Sequence, residues 1–565
     1  MILRFVLALA LAGAVGVVGF GYGYISGDTD NSFAKTWIKR FARKIDEIRG
    51  LPLPEERALE RIESTFIRFR GSLYPLPDSH YKNGGALTQW DGTLFVVDRE
   101  GSVFRFVEGE GLVATEIGTP EHGDEAYAAY AVRPENADRR HRPERLRYND
   151  IEFVETPTFR GLLVSYNFFD ADRVCYGNRV AKLPISPDQT PETLSVDGSD
   201  WDVFFETEPC LGFRPAGIAM QPIQAGGRMD MHPDGRLIYG SGDFAFDGFE
   251  APDIGLMDPD VQYGNILAID IDTGAAETIA VGHRNMQGIA VDRDGEIWSI
   301  EHGVRGGDEL NHIKQGENHG WPLESLGTLY SGQPFPFQGA PGRHDIYDRP
   351  VFAWLPSAGT SALEAIDDFH PTWDGGLLVG SLSSPQYGQS LYHVRTDGDT
   401  VVFVERIRLS RRVRDIEQFG KRLALWLDTT DLLILEQVPR ADPFQLAATA
   451  LNEAHPDVAD EVVEILRSCN ECHAFEQDVH AAGPSLNSVV GREIAGTGFS
   501  GYSDALRSAS GSWTPERLRA YLVDPTGAMP GTSMPAMGLS EGPELDGLIT
   551  ALERMNTADG DHLTY

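Results

Sequence analysis

The strongest constraint on the fold is a short unit that recurs six times along the chain. It opens on a glycine turn and runs into a β-type stretch: WDGTLFVV, FRGLLVSY, PDGRLIYG, RDGEIWSI, WDGGLLVG and FGKRLALW. The glycines are Gly92, Gly161, Gly235, Gly295, Gly375 and Gly420, which span 328 residues in five intervals, about 66 per unit. That length holds a four-stranded antiparallel sheet with long loops, and six copies predict a six-bladed β-propeller over residues 85–437. The intervals are uneven, so a β-sandwich or a β-helix stands as the alternative. Sixty-one Gly and 34 Pro in 565 residues fit a turn-rich all-β region rather than a low-complexity chain.

The flanks have a different texture. Met1 to Ile25 carries one basic residue, Arg4, ahead of the apolar run FVLALALAGAVGVVGFGYGYI. As a helix this run rises about 31 Å, enough for the hydrocarbon core of a bilayer. It reads as an N-terminal membrane anchor or a signal peptide, and either one exports the chain. Lys35, Lys39, Arg40, Arg43 and Lys44 lie on the side to be exported and count against the anchor. Residues 26–84 read as a helical spacer, with Trp37, Ile38, Phe41, Ile45 and Ile48 at helical spacing and ERALERIESTFIRF resuming after Pro52 and Pro54. The basic amphipathic stretch is either a plain spacer or a helix lying on the membrane surface. Residues 438–455 read as a linker, and 456–560 as an all-α domain. There Thr514 and Pro515 form an N-cap and a first helical position, and SEGPELDGLITALERMN forms a last amphipathic helix. Forty-eight basic against 85 acidic residues give a net charge of −37, which disfavours a nucleic-acid partner.

Cys469-Asn-Glu-Cys472-His473 is a C-x-x-C-H sequence, the attachment site of c-type haem. Two thiols at this spacing add to the haem vinyl groups and the histidine supplies the proximal imidazole. A zinc site would need further thiolates, and no cysteine follows Cys472. Gly483-Pro484-Ser485-Leu486, Gly491-Arg492, GYSDAL, SWTPERLRAYLVDP and Pro530-Gly531-Thr532-Ser533-Met534 follow. Residues 457–556 thereby resemble a class I cytochrome c. The resemblance implies Met534 as the sixth iron ligand, ahead of its rivals Met529 and Met537. Such attachment implies an export compartment, where Cys175 and Cys210 either form a disulfide or remain two buried thiols.

The stretch GHRNMQGIAVDRDGEIWSIEHGVRGGDELNHIKQGENHGWP, residues 282–322, resembles the signature of the glucose/sorbosone dehydrogenases, which include soluble glucose dehydrogenases and aldose sugar dehydrogenases. The likeness covers about 85–437 and is weak before 220. It implies a six-bladed propeller that uses pyrroloquinoline quinone (PQQ) and calcium. By position it implies that Arg284, Asn285 and Gln287 hold the quinone and that Arg412 and Arg414 close its pocket. It also implies that Gly303 and Val304 offer carbonyls to calcium, with Asp308 and Glu309 beside that site. Guanidinium forks suit a flat tricarboxylate. The same polar residues could instead stitch blades together. An EF-hand is excluded, because Val281 and Gly303 stand where Asp270-x-Asp272 and Asp292-x-Asp294 would need a glutamate.

Three departures weaken the catalytic inference. Gln224 holds the place of the family's base histidine, four residues before Arg228, and an amide takes no proton at pH 7. Ser383 stands where a lysine is expected, and LRYNDIEFV replaces a Gly-Gly-Leu-Leu block. His232, His283 and His302 lie nearby without an assigned role. The leading expectation is a periplasmic quinone-dependent sugar or alcohol dehydrogenase with its own haem acceptor, acting on an aldose or alcohol and passing electrons to a respiratory carrier with a basic face. The alternatives are an electron-transfer or docking protein whose propeller has lost catalysis, and a dehydrogenase of this fold with another substrate and base.

Overall fold

The computed structural model describes residues 57–554 other than 77–83, 137–139, 215–217, 250, 336–343, 384–385, 429–430, 439–443, 445–450, 453 and 476–478. The expected anchor or signal segment and the basic amphipathic stretch lie outside the described residues. Among the described residues no helix is long and apolar enough to cross a membrane.

Six strands, β1 (Ala86–Trp90), β2 (Tyr148–Glu155), β3 (Gly226–Met231), β4 (Met286–Val291), β5 (Thr360–Ile366) and β6 (Val413–Phe419), each form the innermost strand of a four- or five-stranded sheet, a fifth strand of β3's sheet pairing parallel. They pack in the order β1 to β6 and back onto β1. The sheets therefore close a six-bladed ring, which disposes of the sandwich and β-helix alternatives. Each recurrent glycine except Gly161 falls between the first and second strand of a blade, and Gly161 is the second residue of the second strand. Gly92, Gly235, Gly295, Gly375 and Gly420 take φ between 63° and 93°, a left-handed turn conformation that favours glycine. Gly161 is needed for a different reason: a Cβ there would sit 2.0 Å from the Leu183 carbonyl oxygen of the next strand.

The helical spacer predicted for 26–84 is corrected over its described part. Arg57–Glu63 and Arg68–Pro75 are strands. Arg68–Pro75 pairs antiparallel with Asp431–Val438, so the last blade is completed by the N-terminal side of the propeller chain. The apolar residues Ile62, Ile67, Phe69 and Leu73 fill the core between the last two blades beside Trp373 and Leu433. An open strand edge and an apolar slot outweigh helix propensity, which is only a weak prior. Cys175 and Cys210 form a disulfide in the second blade.

A second compact unit begins at Pro439. The linker predicted for 438–455 is corrected as well, since Phe444 and Leu451 are buried in this unit's core and Phe444 meets Phe475 edge-on at 5.4 Å. Helices Ala459–Asn470 and Pro543–Arg554 bury Val462, Leu466, Leu545, Leu548 and Leu552 against one another. Gly547 permits that approach, since a Cβ there would lie 2.9 Å from Val462. Thr514 caps helix Pro515–Val523 by accepting from the Arg517 N–H, with Pro515 in the first turn.

Candidate active site and haem site

Five of the six inner strands carry a one-residue bulge near their start, and the bulged residues are Asn149, Gly227, Gln287, Ser361 and Arg414. A bulge re-aims side chains and is common beside active sites. The equivalent bulges set Arg147 before β2, Asn285 before β4 and Arg412 before β6 at one register, on one rim of the ring. Thus the sequence-predicted residues Arg284, Asn285 and Gln287 share a rim with Arg412 and Arg414, although some 130 residues separate them.

Arg284 is buried. Its Nη1 donates to the carbonyl oxygens of His302 and Gly303, 3.1 Å in each case, and its Nε is buried with no partner. Its guanidinium lies 5.4 Å from the Trp321 ring. The Glu301 carboxylate accepts from the Arg284 N–H at 2.6 Å and from Asn311 Nδ2 at 3.1 Å, and contacts His283 Nδ1 at 2.9 Å. Burial opposes its ionisation, but these partners hold Glu301 below the usual carboxylate range. Gln287 donates to Asn285 Oδ1 at 3.0 Å. Arg412 and Arg414 converge on one carboxylate, Asp428, at 2.8 Å each, and hold its pKa low despite burial. A small cavity, about 20 Å³ and so sized for one water, is lined by Arg284, His302, Gly303, Glu309 and Trp321 among others. His302 Nε2 is buried there without a partner, and burial lowers the pKa of this imidazole.

The acidic residues differ in availability. Asp308 spends both oxygens on its own scaffold, accepting from Gly303 N, Ser357 Oγ and Gly359 N at 3.2, 2.8 and 2.6 Å. Glu309 lines the cavity, and burial with Glu301 and Asp308 nearby pushes its pKa well above the ordinary value. Val304 packs into the apolar cluster around Trp321. Among the described residues no group of three His, Cys, Asp or Glu is arranged to hold a metal ion. The Gly303 carbonyl already accepts from Arg284, so the described side chains do not by themselves make a calcium cage.

Gln224 precedes β3. Its carbonyl accepts from the Phe244 N–H, and its side-chain Oε1 is buried without a partner. The neighbouring Asp243 accepts from Trp321 Nε1 at 2.9 Å, and burial raises its pKa to about 7. Ser383 donates to the Ser357 carbonyl and brings no charge. His283 is locked on Glu301, and His232 contacts Asp234 and the Gly295 carbonyl away from the cavity. Sequence reasoning missed Asp428, Asp243, Trp321 and Arg147. Arg147 lies inside the very block, LRYNDIEFV, that departs from the expected pattern.

Below the rim the inner strands change sign. A cavity of about 190 Å³ is lined by Asp150, Glu152, Asp230, Glu364, Asp415 and Glu417, with Arg228 as the counter-charge. Arg228 pairs with Asp150 at 3.1 Å and Asp415 at 2.9 Å. Burial raises Asp230 to about 6, Asp150 to about 7 and Glu364 to about 8.

In the C-terminal unit, Cys469 and Cys472 are free thiols at the end of helix Ala459–Asn470. His473 Nδ1 donates to the Pro484 carbonyl at 2.7 Å, which leaves Nε2 for a metal. A Cβ on Gly483 would meet the His473 ring at 2.4 Å, so the glycine makes room for the imidazole. Met534 is half-buried against the core, whereas Met529 is buried within it and Met537 is exposed. These features fit a haem c. Burial pushes the Cys469 thiol up to about 11.

The family model of glucose/sorbosone dehydrogenases matches residues 211–431. An aldose sugar dehydrogenase of Escherichia coli is 35% identical over 153 residues, 26% of this chain and 39% of that protein. The chain spans about a third to two fifths of the length of the first curated relatives of its propeller. The crystal structure of the apo form of the soluble Escherichia coli aldose sugar dehydrogenase superposes with a TM-score of 0.51 and 23% identity. That superposition covers 66% of this chain and all of the other, and it shows the shared fold. A cytochrome c2 of Agrobacterium tumefaciens is 38% identical over 90 residues, 15% of this chain and 81% of that protein.

Proposed function

The chain belongs to the glucose/sorbosone dehydrogenases in its propeller and to the cytochromes c in its C-terminal domain, and from that premise we propose an exported, PQQ-dependent dehydrogenase of sugar or alcohol CH–OH groups that delivers electrons through its own haem c to a respiratory acceptor. The observation that carries this reading is the rim itself. Arg284, Arg412 and Arg414 gather there in a protein of net charge −37, with Arg284 Nε buried and unpartnered.

Oxidation of CH–OH to C=O releases two electrons and two protons, whereas haem iron accepts one electron at a time. PQQ, when bound, supplies the two-electron step. Arg284, Arg412 and Arg414 would supply the positive charge its carboxylates require, Asp428 fixes the last two, and Asn285 and Gln287 would contribute amide hydrogen bonds. The one-water cavity is too small to enclose a quinone. Calcium, if bound, would draw on backbone carbonyls such as those of Gly303 and Val304, and no step is routed through it. Gln224 cannot serve as base. In the C-terminal unit Cys469 and Cys472 would anchor the haem, and His473 and Met534 would ligate its iron. A tethered acceptor works at high effective concentration. The 21-residue apolar run at residues 5–25 and the Cys175–Cys210 disulfide favour an exported chain. The acidic cytochrome domain favours an electron partner with a basic face.

The test mixes haem-loaded, full-length protein with aldoses and simple alcohols, with and without PQQ and calcium, under anaerobic conditions. Substrate-dependent reduction of the haem that requires PQQ is the expected result. Quinone binding without any haem reduction would instead support the second reading, which Gln224 favours: a propeller that has lost catalysis and serves as an electron-transfer or docking module.

A further inference from the structure

We propose that Arg147 is a specificity-determining residue of the propeller rim, which with Asn149 binds the carboxylate of an acidic sugar substrate. The proposal rests on the dehydrogenase reading above.

Arg147 stands two residues ahead of the β2 bulge, the register that Asn285 occupies before β4 and Arg412 before β6. Its guanidinium is held rather than loose, since Nε donates to Asn149 Oδ1 at 2.9 Å. Among the described residues its two terminal nitrogens have no acceptor and it makes no ion pair, in a chain with 85 acidic residues. Asn149, only 7% exposed, spends its oxygen on Arg147 and leaves Nδ2 buried without a partner. Two sets of donors therefore meet here, and neither has anything to donate to.

The neighbouring charges sharpen the point. Arg228 is spent on Asp150 and Asp415, and Arg412 and Arg414 share Asp428. Arg147 has no such carboxylate among the described residues. Burial and the guanidiniums of Arg414, Arg99 and Arg228 lower its pKa to about 9, with only Asp428 opposing. Leaving a partly buried cation unpaired is costly, and a neutral hydroxyl would not offset it. A carboxylate matches both the charge and the fork. PQQ also carries carboxylates, so the experiment must separate cofactor from substrate.

The separation comes from calorimetric titration of full-length, haem-loaded protein with glucuronate, glucose and PQQ, in wild type and in R147Q and R147K. Glucuronate and glucose differ by one carboxylate. We expect R147Q to weaken glucuronate binding about 10–100-fold, R147K to lie between, and glucose and PQQ to bind as in wild type. Equal glucuronate affinity in wild type and R147Q overturns the proposal. Loss confined to PQQ overturns it too and assigns Arg147 to the cofactor. If R147Q fails to fold, R147K decides, because it keeps the charge and removes the fork. None of these readouts needs turnover, so failure of the dehydrogenase reading shows separately, as a haem that stays oxidised under every substrate while binding persists.

Discussion

The two sites of this chain are assembled in opposite ways. The haem site is written almost contiguously: Cys469, Cys472 and His473 fall within five residues, and Gly483 and Pro484 shape the imidazole from the next turn of chain. The propeller rim draws on residues from Arg147 to Asp428, delivered by three different blades. The first kind of site depends on local covalent order. The second exists only when separate blades bring these residues onto one rim. Lesions in the first should therefore remove chemistry and spare the fold, whereas lesions in the second should disturb both.

The largest expected effect tests the first half of that statement. C469A combined with C472A should abolish covalent haem completely, seen as loss of haem staining on a denaturing gel, while the propeller's melting transition stays where it was. A fall in propeller stability would break the contrast.

D428N tests the other half. The substitution leaves two guanidiniums without a carboxylate and should cost about 3 kcal/mol in chemical denaturation of the propeller, with haem incorporation unchanged. Quinone binding should weaken in the same variant. The wild-type contribution of Asp428 is present above the ordinary carboxylate pKa and is lost as pH falls through its lowered value in the fold.

The channel below the rim behaves with the reverse sign. Asp230, Asp150 and Glu364 have raised values of about 6, 7 and 8, so their contribution is full only below the ordinary carboxylate pKa and is lost as pH rises through those values. E364Q keeps an acceptor for the Gln418 N–H, which now lies 3.0 Å from Glu364 Oε1. It should raise the propeller's melting temperature by about 2–4 °C at pH 8 and by less at pH 5. No pH dependence of that gain would mean that the channel carboxylates are already relieved of charge by another route.

The smallest effect belongs to the cytochrome unit. T514A removes the acceptor for the Arg517 N–H and should cost about 1 kcal/mol in that unit alone, read from its own unfolding transition.

What could be read in the sequence follows the same division. Five turn glycines demand left-handed backbone and so mark blade starts wherever they occur, and the C-x-x-C-H run marks its chemistry directly. The strands at 57–63 and 68–75 were illegible as strands. The segment ERALERIESTFIRF read as a resumed helix, and what makes it strand is the free edge of Asp431–Val438, which local pattern does not contain. Phe444 and Leu451 looked like linker because each is an isolated apolar residue among small and polar ones, and only the cytochrome core explains them. At the rim, the arginines stand in recognisable runs. Asp428, one residue beyond a strand, and Asn149, inside a block that departs from the expected pattern, acquire meaning only from the arginines they meet in the fold.

The closing ladder between Arg68–Pro75 and Asp431–Val438 also sets a schedule for synthesis. The early strand is made some 360 residues before its partner, which at about 5–20 residues per second is a wait of roughly 20–70 s. Throughout that interval the nascent propeller is an open arc with an unpaired strand at one end and a growing edge at the other. Such edges invite pairing with other chains, so the step most exposed to misassembly in this protein is the last one, when the two ends of the arc must find each other.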